Sequence, residues 1–265
     1  MNKRLICTTA AVFVLSLALS GCTLFRWGGP SKSSEPAPAP AEPKSGDTFK
    51  EGEELMEKGK YEQARKVYAK VQETDPEKSY EPLIQIRLGD SYYEEASYAE
   101  AEVEYQRFLD MRPHNKAAPY VKYQIGMCNY KQIGTSDRDP QYAQKTVKAF
   151  IELLKDYPDN PYADEAKERL RLAYTKLAEN DFVIGKYYLD QKQYKAAADR
   201  FKEILDSYPG SQIEPEVMYA LADTYITMGQ FDDAKNTLAK LYQAYPNHTM
   251  ALKAKDKLSG KIPAN

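Results

Sequence analysis

The sequence predicts an all-α protein: a superhelical array of five helix pairs, with one long helix leading into the fourth pair and a short helix after the fifth. Three observations predict it. Five prolines (Pro76, Pro113, Pro158, Pro209 and Pro246) are preceded by the same pattern: Ala64, Ala101, Thr146, Ala197 and Ala234 twelve residues before, Tyr68, Tyr105, Phe150, Phe201 and Leu238 eight before, and Val71, Phe108, Leu153, Ile204 and Leu241 five before. A second register of small residues, Gly52, Gly89, Gly126, Gly185 and Ala222, marks the middle of a preceding helix. No segment carries a competing period-two strand pattern.

The spacing has a direct physical reading. Small residues let the paired helices approach closely, the aromatic and aliphatic positions fill the gap at helical periodicity, and the proline stops the second helix. The turn inside the pair recurs as Gly59-Lys60-Tyr61, Ala96-Ser97-Tyr98, Lys192-Gln193-Tyr194 and Gly229-Gln230-Phe231. Together these are the tetratricopeptide pattern, five times over. One pair cannot bury its apolar face alone, so stability must come from stacking neighbours into a superhelix.

Residues 1–21 read as a secretory signal peptide. Lys3 and Arg4 precede an almost uncharged apolar stretch from Leu5 to Leu19, which is too short to span a bilayer comfortably. Leu19-Ser20-Gly21-Cys22 resembles the lipobox of bacterial lipoproteins, which implies cleavage before Cys22 and lipidation of its thiol. Two or more acyl chains, at ~0.8 kcal/mol per buried CH₂, would make membrane attachment stable. Thr23 stands where an inner-membrane retention signal often has Asp, so the resemblance implies the outer membrane. Residues 22–46 form a tether containing Pro30, Pro36, Pro38, Pro40 and Pro43. Such a segment has little to bury, favours extended polyproline II and could reach about 70 Å.

Residues 47–160 hold repeats 1–3, and residues 161–265 hold the long helix, repeats 4–5 and a C-terminal helix. The repeat prolines are separated by 37, 45, 51 and 37 residues. The second interval carries an extra loop, Gln132 to Tyr142, with Asp137-Arg138-Asp139-Pro140 inside it. The third lacks a turn signal between Pro161 and Gln191 and predicts one helix of about thirty residues. Met250 to Leu258 reads as a capping helix with a polar outer face.

Composition excludes several functions. Loss of Lys3 and Arg4 with the signal leaves 35 of 37 basic residues against 39 acidic ones, so no basic surplus exists to bind nucleic acid. Cys7 would leave with the signal and Cys22 would take lipid, leaving Cys128 without a disulfide partner. The catalytic search is empty and no cofactor is expected. His114 and His248 lie after helix-ending prolines and read as solvated turn residues. Cys128 reads as a buried structural thiol, and there is no phosphate-binding glycine loop.

The irregular parts carry a closer resemblance. Asp137-Arg138-Asp139-Pro140-Gln141, Tyr157-Pro158-Asp159-Asn160 with Tyr162, and Ala178-Glu179 through Tyr187-Tyr188 resemble the BamD family, the lipoproteins of the outer-membrane β-barrel assembly machinery. The resemblance covers roughly residues 47 to 248. It implies a scaffold, not an enzyme, on the periplasmic face of the outer membrane. It implies docking on the periplasmic domains of a BamA-like barrel subunit, reception of unfolded outer-membrane proteins, and accessory lipoproteins among the partners. An arginine of the family's fourth helix pair serves docking, and Arg200 stands at the matching place. A second family arginine, nine residues earlier, is Gln191 here. The alternative is a tetratricopeptide lipoprotein that pilots a secretin or pilus pore, for which even repeat spacing would be expected.

In tetratricopeptide arrays the first helix of each pair lines the concave face. Counted from the mid-helix small residue, that face carries Phe49, Glu53, Met56 and Glu57, then Ile86, Asp90, Tyr93 and Glu94, then Tyr123, Met127, Tyr130 and Lys131. Apolar surface in a concave site marks a ligand groove. Phe49, Glu53, Met56, Ile86, Tyr93, Tyr123, Met127 and Tyr130 are therefore expected to receive the aromatic end of a client segment.

Overall fold

A computed structural model describes residues 44–134 and 140–262. The expected signal peptide, Cys22, almost all of the tether and the Asp137-Arg138-Asp139 segment lie outside the described residues. Five pairs follow one another: α1 (Lys44–Glu57) with α2 (Tyr61–Thr74), α3 (Glu81–Glu94) with α4 (Tyr98–Met111), α5 (Ala118–Lys131) with α6 (Gln141–Asp156), α7 (Ala163–Asp190) with α8 (Tyr194–Ser207), and α9 (Glu214–Thr227) with α10 (Phe231–Ala244). Helix α11 (Thr249–Lys257) and a 3₁₀ turn at Ser259–Lys261 close the C-terminal end. Helix α1 begins inside the segment assigned to the tether, and Ser45 is already buried.

The turns inside the pairs share one backbone. Gly59, Ala96, Lys192 and Gly229 adopt φ of 68°, 59°, 58° and 73°. Each donates its N–H three residues back, and the next residue donates five back, as Ala96 to Tyr93 (3.0 Å) and Ser97 to Tyr92 (2.9 Å). This is the Schellman arrangement, which satisfies the last carbonyls of the first helix and reverses the chain.

Close approach within each pair depends on the mid-helix glycine. A Cβ at Gly52, Gly89, Gly126 or Gly185 would fall on the ring of Tyr68, Tyr105, Phe150 or Phe201 respectively. Those four rings are fully buried. In the fifth pair, Ala222 faces the smaller Leu238, both buried in one cluster with Leu241 and α11. The ring and the small residue opposite it are thus one packing unit shared between two helices.

Helix α7 breaks the regularity in a way that can be counted. Helices α3, α5 and α9 are 14 residues long, with the small residue at the ninth position. Helix α7 has 28 residues and carries Gly185 at its twenty-third. It is a regular first helix preceded by fourteen extra residues, about four turns and about 21 Å. Its first half joins the cluster of Phe150 and Leu153 on α6 through Ala166 and Leu170. Its second half packs on Phe201 and Ile204 of α8 through Ala178 and Phe182.

Candidate functional site

A polar chain ties the first two repeats together and reaches the third. The Glu53 carboxylate accepts from the Tyr68 hydroxyl (2.5 Å) and from Arg87 Nε and Nη2 (2.9 and 2.8 Å). Arg87 Nη1 also donates to Asp90 (2.9 Å), and Asp90 Oδ1 accepts from the hydroxyls of Tyr105 and Tyr120 (both 2.7 Å). Gln124 donates to Tyr120 (2.8 Å). Burial, followed by the Asp90 charge, raises the Tyr105 and Tyr120 hydroxyls far above the ordinary phenol range. The hydrogen bonds that Arg87 donates to Glu53 outweigh desolvation and hold its guanidinium above its usual value. Glu53 therefore spans from α2 to α3, and Asp90 from α4 to α5.

The other expected groove residues divide. Phe49 is half-buried between the rings of Tyr68 (5.6 Å) and Tyr80 (5.0 Å). Met56 is half-buried against the same cluster. Tyr93 sits edge-on to Tyr98 at 5.4 Å and stays partly exposed, its hydroxyl pushed up to about 12 by burial. Tyr130 is partly exposed beneath Arg169 of α7, 5.1 Å from the ring centroid.

Ile86, Tyr123 and Met127 do not present open surface. They are 7, 8 and 6% exposed, respectively. Ile86 packs with Phe108 and Val121. Tyr123 stacks on Tyr162 at 4.7 Å, and Met127 packs with Ala166. Curvature brings the next first helix over these positions, which helical periodicity alone places beside their neighbours on one stripe. Glu165 of α7 is held below its ordinary value, first by a hydrogen bond from Tyr123 and then by Arg169. Arg87, Glu165 and Arg169 were not anticipated. Their only sequence signal is local: Arg87 lies three before Asp90, and Glu165 four before Arg169.

In the second half, Arg200 is held on the surface of α8. It pairs with Glu203 (2.9 Å) and reaches Asp181 of α7 at 3.7 Å. Asp181 also accepts from the Tyr208 hydroxyl (2.8 Å), whose pKa burial and this bond push up to about 12. Val183, Ile184 and Tyr187, which follow Asp181 on α7, are exposed.

Of the residues weighed for catalysis, Cys128 and His248 have structural roles, and His114 is exposed. Cys128 is fully buried, and desolvation pushes its thiol up to about 12, which keeps it protonated and poorly nucleophilic. His248 is not a free turn residue: its Nδ1 accepts from the Met250 N–H (3.2 Å) and caps α11. Among the described residues no cluster could hold a metal ion, and no helix is long and apolar enough to cross a membrane.

Comparison with known proteins places these features in a family. The model of the YfiO family, described as outer membrane lipoprotein, matches residues 41–241. The outer membrane protein assembly factor BamD of Rickettsia prowazekii (strain Madrid E) is 31% identical over 99 residues, 37% of this chain and 39% of that protein. The protein of the same name from Neisseria meningitidis serogroup A is 31% identical over 111 residues, 42% of each chain. The matched region spans about two fifths of the length of these curated relatives. A crystal structure of a thermophilic TPR protein from Thermus thermophilus aligns over 82% of this chain and 98% of that one, at 16% identity and a TM-score of 0.35. The family match runs from three residues before α1 into α10, and the chain belongs to the YfiO family of outer membrane lipoproteins.

Proposed function

We propose that the chain is a scaffold of the machinery that folds and inserts β-barrel proteins into the outer membrane. It is anchored through lipid on Cys22 to the periplasmic face. The observation that carries this reading is α7, whose fourteen-residue extension separates two chemically different halves of one array. The first half offers half-exposed aromatic and thioether side chains, Phe49, Met56, Tyr93 and Tyr130, above a polar framework. That suits the aromatic end of an unfolded outer-membrane protein. The second half offers Arg200, whose planar fork suits a carboxylate on the periplasmic domains of a barrel subunit. Relatives named outer membrane protein assembly factor support the same reading. Ile86, Tyr123 and Met127 then shape the groove floor from beneath.

The test is co-purification of the tagged full chain from membranes solubilised in mild detergent. Stoichiometric capture of a barrel protein with repeated periplasmic domains, lost on Arg200→Glu, is the expected result. A secretin or pilus component in its place would overturn the reading. Tyr93→Ala with Tyr130→Ala should weaken binding of an aromatic-ended client peptide while the barrel protein is still captured.

A further inference from the structure

Each first helix of a stacked repeat has one face turned to the helix pair before it, formed by its fourth, eighth and eleventh residues. In α3 these are Ile84, Leu88 and Ser91, and in α5 Val121, Ile125 and Cys128. In α9 they are Val217, Leu221 and Thr224. The fourth and eleventh are buried in all three helices. The extension of α7 supplies the same face through Ala166 and Leu170, which pack with Phe150 and Leu153 of α6, and through the buried Ala173. The second half of α7 repeats the pattern a second time, with Asn180, Ile184 and Tyr187. Here no described helix precedes it: Ile184 is 39% and Tyr187 60% exposed.

Helix α1 supplies the internal comparison. No described helix precedes it either, and its three positions are Asp47, Glu51 and Glu54, all exposed. That exposed face is charged throughout. The equivalent face of α7 carries no charge, with Ile184 and Tyr187 at two of its three positions, and Val183 beside it is 61% exposed. A cleft of about 650 Å³ borders Asn180, Val183 and Ile184, one turn before Tyr187; it is walled by Pro140, Gln144 of α6, Leu177 and Tyr208, and also lined by the carboxylates Glu179 and Asp181.

We propose that this face, Val183–Ile184–Tyr187 with Asn180, is a docking slot for an amphipathic helix of another polypeptide, seated where every stacked first helix has a second helix of the preceding pair. The chemistry of the occupant follows from the interfaces already built. Second helices offer the next first helix a small residue, a ring four later and an apolar residue three beyond that, as Ala101, Tyr105 and Phe108 offer to Val121 and Cys128. The occupant has the same apolar spacing, with a Lys or Arg beside it to meet Glu179, whose side chain is 49% exposed and whose own partner, Lys176, stands 4.0 Å away. The slot borders the Arg200 surface, since Arg200 of α8 reaches Asp181 at 3.7 Å, so the cross-link at 187 is read in the unaltered chain and in Arg200→Glu to tell the two docking sites apart.

The experiment places a benzoylphenylalanine photocross-linker at Tyr187 in the full, membrane-attached chain, with a second version at the exposed Val103 of α4 as reference. Adducts are mapped by mass spectrometry. The expected adduct at 187 is a helical segment of another polypeptide with apolar residues three and four apart and a flanking basic residue. Ile184→Asp should cut its yield about tenfold, because the slot would then bury an unpaired carboxylate. Circular dichroism of that variant should be unchanged, and Val183→Asp serves if it is not. An adduct with a second copy, with the chain itself, with lipid or with a non-helical segment overturns the proposal. So does a yield at 187 no higher than at 103.

Discussion

The first two repeats and the last three are built on the same packing of a small residue against a large one, a glycine against a ring in the first four and Ala222 against Leu238 in the fifth, yet the residues beside it differ. In the first two the ring is a tyrosine and the residue after the glycine is an acid: Tyr68 with Glu53, Tyr105 with Asp90. In the third and fourth the ring is Phe150 or Phe201, and the residue after the glycine is Met127 or Lys186. In the fifth, Asp223 has Leu238 opposite its neighbour and pairs instead with Lys261 (3.1 Å). A hydroxyl is present where a carboxylate can take it and absent where none can, because an unpaired buried hydroxyl is costly. Acids that would have been groove chemistry in the first half are thereby spent on joining repeats.

The comparison can be broken at the element both halves share. Gly89→Ala and Gly185→Ala should destabilise about equally, by about 1–3 kcal/mol, since each pushes a methyl into a buried ring that has nowhere to move. Thermal melts followed by circular dichroism would measure it. Ala222→Gly should lose only about 1 kcal/mol, the cost of a mid-helix glycine. A first-half substitution far more harmful than its second-half counterpart would mean that the polar chain, not the ring, sets the helix separation.

It can be sharpened by exchanging the chemistry. Phe150→Tyr buries a hydroxyl beside Met127 and should cost about 1–3 kcal/mol. Adding Met127→Asp rebuilds the arrangement of Tyr105 with Asp90, so the double variant should be more stable than the two single effects summed, by about 0.5–3 kcal/mol. Additive losses in the four-protein cycle would show that the tyrosine–acid pairing of the first half depends on Arg87, which the third repeat lacks.

Much of this architecture was legible before any coordinates. The proline register located every second helix because the proline cannot continue it, and the missing turn signal located α7. Arithmetic alone contains the fourteen-residue extension, since the 51-residue interval exceeds the ordinary 37 by that amount. What the extension does was not legible: that Ala166 and Ile184 occupy the same face, one covered and one not, depends on how pairs stack. The same gap explains Ile86, Tyr123 and Met127. Periodicity assigns a residue to a stripe, whereas the curvature of the superhelix decides whether the next helix covers it. Apart from the Arg87–Asp90 pair three residues apart, the hydrogen bonds of Glu53 and Asp90 join residues 15 to 34 positions apart and leave no local trace.

A smaller effect separates the halves in alkali. Tyr68, Tyr105 and Tyr120 have hydroxyl pKa values raised in the folded state, mainly by burial. Their contribution to stability is complete below about pH 10, the unfolded value, and is lost as pH rises from there toward the folded values, because the unfolded chain releases protons first. Absorbance of tyrosinate should lag behind free tyrosine and then rise together with loss of helix. Tyr105→Phe should flatten that dependence. A titration of these phenols with an ordinary midpoint while the helices persist would mean that the polar chain is open to water.

The smallest expected effect tests whether the turns differ between halves at all. Ala96 and Lys192 hold left-handed φ values that Gly59 and Gly229 adopt freely. A side chain there costs about 1–2 kcal/mol in backbone strain. Part of that is recovered because alanine or lysine leaves the unfolded chain less entropy to lose than glycine does. Ala96→Gly and Lys192→Gly should each stabilise by about 0.5 kcal/mol, the residue of those opposed terms. One turn lies in the first half and one in the second, and both have the same Schellman hydrogen bonds. Equal gains in urea unfolding would show that local backbone energetics are common to the whole array. The contrast between halves would then rest on the polar chain and on α7. A gain at Lys192 alone would mean that the Ala96 turn is held by its neighbours, with Arg65 bridging from α2 to Glu95 (2.8 Å) as the first contact to remove.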